Sequence, residues 1–209
     1  MKLVGMLDSP FVRRVAISLQ LLGVEFEHQS LSLFRTYDEF KRINPVARAP
    51  TLVCDDGTVL MDSTLILEYA EALAAPRSLM PAALADRRAE LELIGLALAL
   101  CEKSVQLFYE RMLRPPERRH QPWVDRITEQ LLAAHDGLEQ RLARRPLAGT
   151  STTISQAGVS IAVAWTFTQR ALAGAIDAAA YPALAAHAAA AESLPEFAAA
   201  PHGEQTVRR

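Results

Sequence analysis

The sequence predicts a small mixed α/β unit followed by an all-helical half, and three observations carry that expectation. Up to residue 74, short β-rich runs alternate with runs of helical period. From about residue 86, apolar residues recur only at helical spacing. Between the two, "APRSLMPAAL" holds two prolines and no periodicity, which marks residues 77–85 as a linker. The expected domains are therefore 1–76 and 86–209.

The elements follow in order. "KLVGML" is a buried strand candidate. After it Val12, Val15, Ala16, Leu19 and Leu22 lie on one helical face, and Gly23 stops the helix. "FEHQSLSL" reads as a second strand and "TYDEFKRI" as a short helix capped by Thr36. "TLVCDDGTVLM" is a hairpin turning at Asp56-Gly57. "DSTLILEYAEALA" is a helix that opens on polar caps. The order β-α-β-α-β-β-α implies a small sheet with helices on its faces. Farther on, Leu91, Ile94, Leu98, Cys101, Val105, Phe108 and Met112 form one core stripe, and Trp123, Ile127, Leu131, Ala134, Leu138 and Leu142 another. A third helix runs through "SQAGVSIAVAWTFTQRALA", and alanine-rich helices continue to about residue 199. The tail "PHGEQTVRR" is expected to be loose.

Composition narrows the function classes. A chain of 209 residues can bury the core of one large domain or two small ones. The 22 basic and 24 acidic residues leave a net charge of −2, so bulk electrostatics give no reason to expect nucleic acid as a partner. Arg118-Arg119 and Arg144-Arg145 are pairs suited to solvated helix ends. Cys54 and Cys101 stand far apart, outside any CxxC or histidine cluster, which argues against a disulfide framework or a metal site and suits a reducing compartment. Too few apolar residues separate Lys2 from Asp8 for a signal peptide, and the uncharged stretch 146–169 is too polar and broken to span a bilayer. A soluble cytoplasmic protein without a membrane partner is expected.

Chemistry concentrates in "DSPFVRR". Ser9 stands where a helix N-cap belongs, and Pro10 at the first helical position costs no hydrogen bond. One reading makes Ser9 a cap and nothing more. The other sets its hydroxyl at the positive end of a helix dipole, where a thiolate would be held. Two more segments bear on the choice. In "NPVARAP", Pro50 enters a strand and suits a cis bond. In "MDSTL", Ser63 at a helix start offers a hydroxyl and free N–H groups to a carboxylate, and Asp62 could pair with an ammonium. Either could also merely cap.

These three segments, in this order and spacing, resemble the glutathione-site segments of the glutathione transferase family, whose N-terminal domain is thioredoxin-like and whose C-terminal domain is all-helical. The likeness is closest to the bacterial branch with serine in a Ser-Pro-Phe catalytic loop. Thioredoxin-type CxxC positions hold Ser9, Pro10, Phe11 and Val12 here, which excludes two-thiol redox chemistry at that turn. The resemblance implies that Ser9 stabilises the thiolate of glutathione, while Ala49, preceding a cis Pro50, pairs with the cysteinyl unit. It implies that Asp62 and Ser63 hold the γ-glutamyl end, and that Arg35 and Arg48 are the basic candidates for the glycyl carboxylate. It places the electrophile near Phe11, Phe108, Tyr109 and Met112. It further implies glutathione as co-substrate without a metal, a small hydrophobic electrophile, a homodimer and a role in detoxification.

Two other readings keep the same fold. One is a glutathione-dependent peroxidase, disulfide reductase or isomerase. The other is a non-catalytic binding module resembling the stringent-starvation regulators. Ser9, Pro50, Asp62 and Ser63 together favour the enzyme, because a scaffold has no need of all four. The sequence departs from the family in two places. Ala47-Arg48-Ala49-Pro50 replaces the more usual Gly-Lys-Val-Pro. Gly158 stands where the Ser/Thr-x-x-Asp box of helix six has its aspartate, leaving Ser155 with half a capping box.

Overall fold

The computed structural model describes residues 1–208 and divides the chain into two units. The first holds Met1–Met80, Thr150–Thr152 and the residues from Ser193 onward; the second holds Pro81–Gly149 and Thr153–Glu192.

In the first unit β1 (Lys2–Val4), α1 (Pro10–Leu22), β2 (Glu27–Gln29), α2 (Tyr37–Ile43), β3 (Thr51–Val53), β4 (Val59–Met61) and α3 (Ser63–Ala74) follow the predicted order. The sheet order is β2-β1-β3-β4, with β1 parallel to β2 and the other two pairings antiparallel. Leu3 stands opposite both His28 and Leu52, which puts β1 at the centre of the sheet. This is a thioredoxin-like sheet with helices, and a helical region follows it, as expected. The strands are shorter than their apolar runs. Gly5 ends β1 at φ 134°, and a Cβ there would lie 2.7 Å from Val12 Cγ2, so only glycine lets the chain turn so close to α1. Gly57, at φ 85°, turns the β3–β4 hairpin where Asp56-Gly57 predicted it. Helix α1 is buried nearly all round and contacts β1 and α3. Thr36 flanks α2 but does not cap it. Its hydroxyl accepts from the Ser32 N–H and donates to the Ser32 carbonyl, closing the preceding turn instead.

The chain from Ser193 onward joins this unit, so the helical half is smaller than 86–209. The cause is a buried cation. Arg13 Nε donates to the Ala200 carbonyl at 2.8 Å, and its guanidinium lies over the ring of Phe197 on α8 (Pro195–Ala199). Residues 202–208 are not loose either. The Val207 N–H donates to His28 Nδ1, Ser30 Oγ donates to the Glu204 carbonyl, and the Arg208 N–H donates to the Ala199 carbonyl.

The second unit contains α4 (Leu84–Met112), α5 (Gln121–Arg144), α6 (Gln156–Ala171) and α7 (Pro182–Glu192). The α5 stripe is buried as read from Ile127 to Leu142, while Trp123 is exposed. The α4 stripe is displaced. Leu91 and Met112 are exposed, and the buried line runs through Ile94, Ala97, Cys101, Ser104 and Leu107. Small residues set that line because α4 packs on α6, and Ser104 Oγ meets Thr168 Oγ1 at 2.6 Å across the contact. Hydropathy alone favours larger side chains and misses such a seam.

The start of α6 explains Gly158. Ser155 Oγ accepts from the Gly158 N–H, the half of the box the sequence retains. Another free donor of the same turn, the Ala157 N–H, is taken from α4, where buried Glu90 accepts it at 2.6 Å. Glycine fits at 158 because a Cβ there would meet Ile154 Cγ1 at 2.9 Å and force the contact to shift; the Gly158 carbonyl accepts from His187 Nε2. Among the described residues no helix is long and apolar enough to cross a membrane, and no three His, Cys, Asp or Glu side chains gather as a metal site.

Candidate functional site

The end of β1, the loop before β3 and the start of α3 all belong to the first unit, and each presents its predicted residue. Ser9 has extended backbone, φ −71° and ψ 124°, and caps α1. Its hydroxyl accepts from the Val12 N–H at 3.4 Å, a long bond, and among the described residues its proton goes to no protein acceptor. That leaves a half-buried O–H donor at the N-terminus of α1, on the positive side of the helix dipole. Capping uses a lone pair and thiolate binding uses the proton, so the two roles do not compete.

The loop before β3 is pinned from within. Buried Asn44 donates through Nδ2 to Thr51 Oγ1 and accepts the Val46 N–H, while Thr51 Oγ1 donates to the Arg48 carbonyl. The Ala49–Pro50 bond is cis. Ala47 lies at φ 50°, a left-handed conformation that glycine adopts freely and alanine adopts at a cost of about 1–2 kcal/mol. The usual glycine of the resembled motif falls at this position, so the departure leaves the turn intact and strained.

Ser63 is the first residue of α3 and is buried. Its Oγ accepts from Arg14 Nη1 at 3.0 Å, and the same nitrogen reaches Thr64 Oγ1 at 3.4 Å. Arg14 is a buried member of α1 that sequence reasoning left among the ordinary residues of that helix. Its only signal was a charge on a helix otherwise apolar on that side. Asp62 caps α3 by accepting the Thr64 N–H at 2.9 Å, with its backbone at φ 70° and ψ 127°. A non-glycine residue at that φ is strained, and such strain clusters at binding sites. Burial opposes ionisation of Asp62. The Thr64 N–H, the Arg48 hydrogen bond and the charges of Arg48 and Arg14 outweigh it and hold the carboxyl below its usual range.

The basic candidates are both engaged. Arg48 Nη2 pairs with Asp62 Oδ2 at 3.1 Å, and Arg35 Nη2 pairs with Glu204 Oε1 at 2.7 Å. Asp8, next to Ser9, is raised above the usual carboxylate range by burial and by the charge of Glu204, against the opposing Ser9 N–H and Arg35. Of the electrophile candidates, Phe11 is half-buried on α1 in the first unit. Phe108, Tyr109 and Met112 belong to α4 in the second, where Phe108 and Tyr109 have ring centroids 6.1 Å apart and Tyr109 and Met112 are exposed.

Residues 3–78 match the family model described as glutathione S-transferase, N-terminal domain. The GST-like protein YibF of Escherichia coli is 27% identical over 164 residues, covering 78% of this chain and 80% of that one. A maleylacetoacetate isomerase of Pseudomonas aeruginosa is 28% identical over 146 residues, covering 66% of this chain and 69% of its own. The crystal structure of a glutathione transferase family member from Pseudomonas fluorescens Pf-5 with bound glutathione has a TM-score of 0.80. It is 26% identical and covers 97% of this chain and 98% of its own.

Proposed function

We propose that this chain, whose residues 3–78 match the N-terminal domain of glutathione S-transferases, is a member of that family that binds glutathione, stabilises its thiolate at Ser9 and transfers it to a small hydrophobic electrophile. The observation that carries this is the Ser9 O–H, left undonated at the start of α1 in the same unit as Ser63 and Asp62. In this reading the main chain of Ala49, before Pro50, pairs with the cysteinyl unit. Asp62 takes the γ-glutamyl ammonium and Ser63 its carboxylate. Arg35 or Arg48 receives the glycyl carboxylate, and Phe11, beside Ser9 on α1, contributes to the electrophile site. The glutathione bound to the Pseudomonas fluorescens relative supports glutathione as co-substrate.

The chemistry needs little energy. A free thiol is only ~3% ionised at pH 7, and lowering its pKa by about two units takes roughly 2.7 kcal/mol of preference for the anion. One hydrogen bond to a charged group and a helix terminus together supply that much. The nucleophile then rises in concentration on the order of 25-fold before orientation is counted.

A second reading, a glutathione-dependent isomerase on the same residues, is favoured by the likeness to the Pseudomonas aeruginosa isomerase. It uses the same thiolate, and an assay panel of aryl halides, peroxides, mixed disulfides and cis-dienones separates the activities.

Calorimetry tests the anchor. Ser63→Ala removes one hydrogen bond to a charged group, and glutathione binding is expected to weaken by about 1.5–3 kcal/mol. Cys-Gly, lacking the γ-glutamyl unit, is expected to bind more weakly than glutathione to the parent protein. Equal affinity for the two peptides contradicts the assignment.

The proposed assembly is a homodimer. Leu65, Tyr69 and Leu73 form an exposed apolar line along α3, with Val59 and Met61 exposed on neighbouring β4. A lone subunit gains nothing from exposing that patch. Sedimentation at micromolar concentration is expected to give twice the chain mass of 22.9 kDa, and a species of 22.9 kDa alone contradicts it. The two cysteines are free, which suits the reducing cytoplasm proposed as its location.

A further inference from the structure

We propose that Glu204 occupies, on Arg35, the place of an incoming glycyl carboxylate, so that full binding of glutathione requires its displacement. The inference rests on the glutathione reading above and assigns the cation that reading leaves open.

Of the two basic candidates, Arg48 is bound to Asp62, a carboxylate fixed a second time by the Thr64 N–H. Arg35 is held differently. Its Nη2 meets Glu204 Oε1 at 2.7 Å and Met6 Sδ at 3.8 Å, which brings the ion pair against the loop that carries Ser9. The charges of Arg35 and Glu204 are both felt at Asp8, the residue before Ser9. The backbone that presents Glu204 is secured independently of its side chain. Ser30 Oγ donates to the Glu204 carbonyl at 2.8 Å, the Val207 N–H to His28 Nδ1 at 3.1 Å and the Arg208 N–H to the Ala199 carbonyl at 2.8 Å. The segment can therefore stay in place while the carboxylate swings away.

A glutamate side chain and a peptide C-terminus offer a guanidinium the same two oxygens. The Arg35 and Glu204 side chains are 61% and 65% exposed, so exchange of one carboxylate for another strands no buried charge. A tethered competitor acts at a high effective concentration. An exposed ion pair is weak, however, and the fraction of molecules with Arg35 open remains appreciable. The resulting penalty on glutathione affinity is about two- to sixfold.

The test is calorimetry of glutathione and of γ-glutamylcysteine, which lacks the glycine, against the parent, Glu204→Gln and Glu204→Gln/Arg35→Ala. Glu204→Gln is expected to tighten glutathione by about two- to sixfold and to leave γ-glutamylcysteine unchanged. Adding Arg35→Ala is expected to abolish the gain. If the parent binds glutathione and Glu204→Gln does not improve it, or improves both peptides equally, this inference falls and the glutathione reading stands. If neither the parent nor Glu204→Gln binds glutathione, that reading fails and takes the inference with it.

Discussion

Gly158→Asp, which restores the aspartate of the helix-six capping box, is expected to destabilise the protein by at least about 3 kcal/mol. Sequence logic alone says the opposite, since a completed box and one glycine fewer in a helix should both help. The structure reverses the sign. The new Cβ meets Ile154 Cγ1 at 2.9 Å, in a turn where Gln156, Ala157, Gly158 and Val159 are all buried. The turn also already holds one carboxylate, since Glu90 accepts the Ala157 N–H at 2.6 Å. A second carboxylate in that turn adds a buried like charge, without water to screen it. Chemical denaturation of the parent and the variant measures the effect. A higher midpoint in the variant would mean that the turn accommodates the aspartate and that the completed box outweighs the crowding and the second charge.

Arg14→Met is expected to weaken both the fold and the site. Methionine fills most of the volume but donates nothing to Ser63 Oγ or Thr64 Oγ1, at a cost of about 1.5–3 kcal/mol. The pH behaviour identifies the cause. The Asp62 carboxyl lies below its ordinary range, so its contribution is complete above the unfolded-state pKa and is lost as pH falls through the lower folded-state value. Arg14 is one of the charges holding it there, and without it the loss is expected to begin at higher pH. Glutathione affinity measured against pH should show the acid limb displaced upward in Arg14→Met. Coincident limbs would make Arg14 a space-filling residue.

Local signals carried well from sequence to structure. The order of the first seven elements, the Asp56-Gly57 turn, the cap at Ser9, the cis bond before Pro50 and the position of Ser63 each depend on residues close in the chain. Contacts between distant residues did not carry. Glu90 and Ala157 are 67 positions apart and Arg14 and Ser63 are 49, and no periodicity links them. The α4 seam of Ala97 and Ser104 was missed because close helix packing selects small side chains that hydropathy ranks low. The segment after α8 looked loose because its backbone is held by His28, Ser30 and the Ala199 carbonyl, all distant in the chain or on the main chain, and none leaves a compositional mark.

The central claim, that Ser9 is both cap and thiolate partner, is tested most directly by the ultraviolet absorbance of protein-bound glutathione thiolate against pH, in the parent and in Ser9→Ala. As a cap, Ser9 contributes about 1 kcal/mol or less, in keeping with its long 3.4 Å bond to the Val12 N–H. As a thiolate partner it holds the bound thiol's pKa down. Its loss is then expected to move the absorbance titration and the pH–rate profile together to higher pH, with glutathione affinity near neutrality falling by no more than about fourfold. Superimposable titrations in the two proteins would contradict the account and leave Ser9 a helix cap alone.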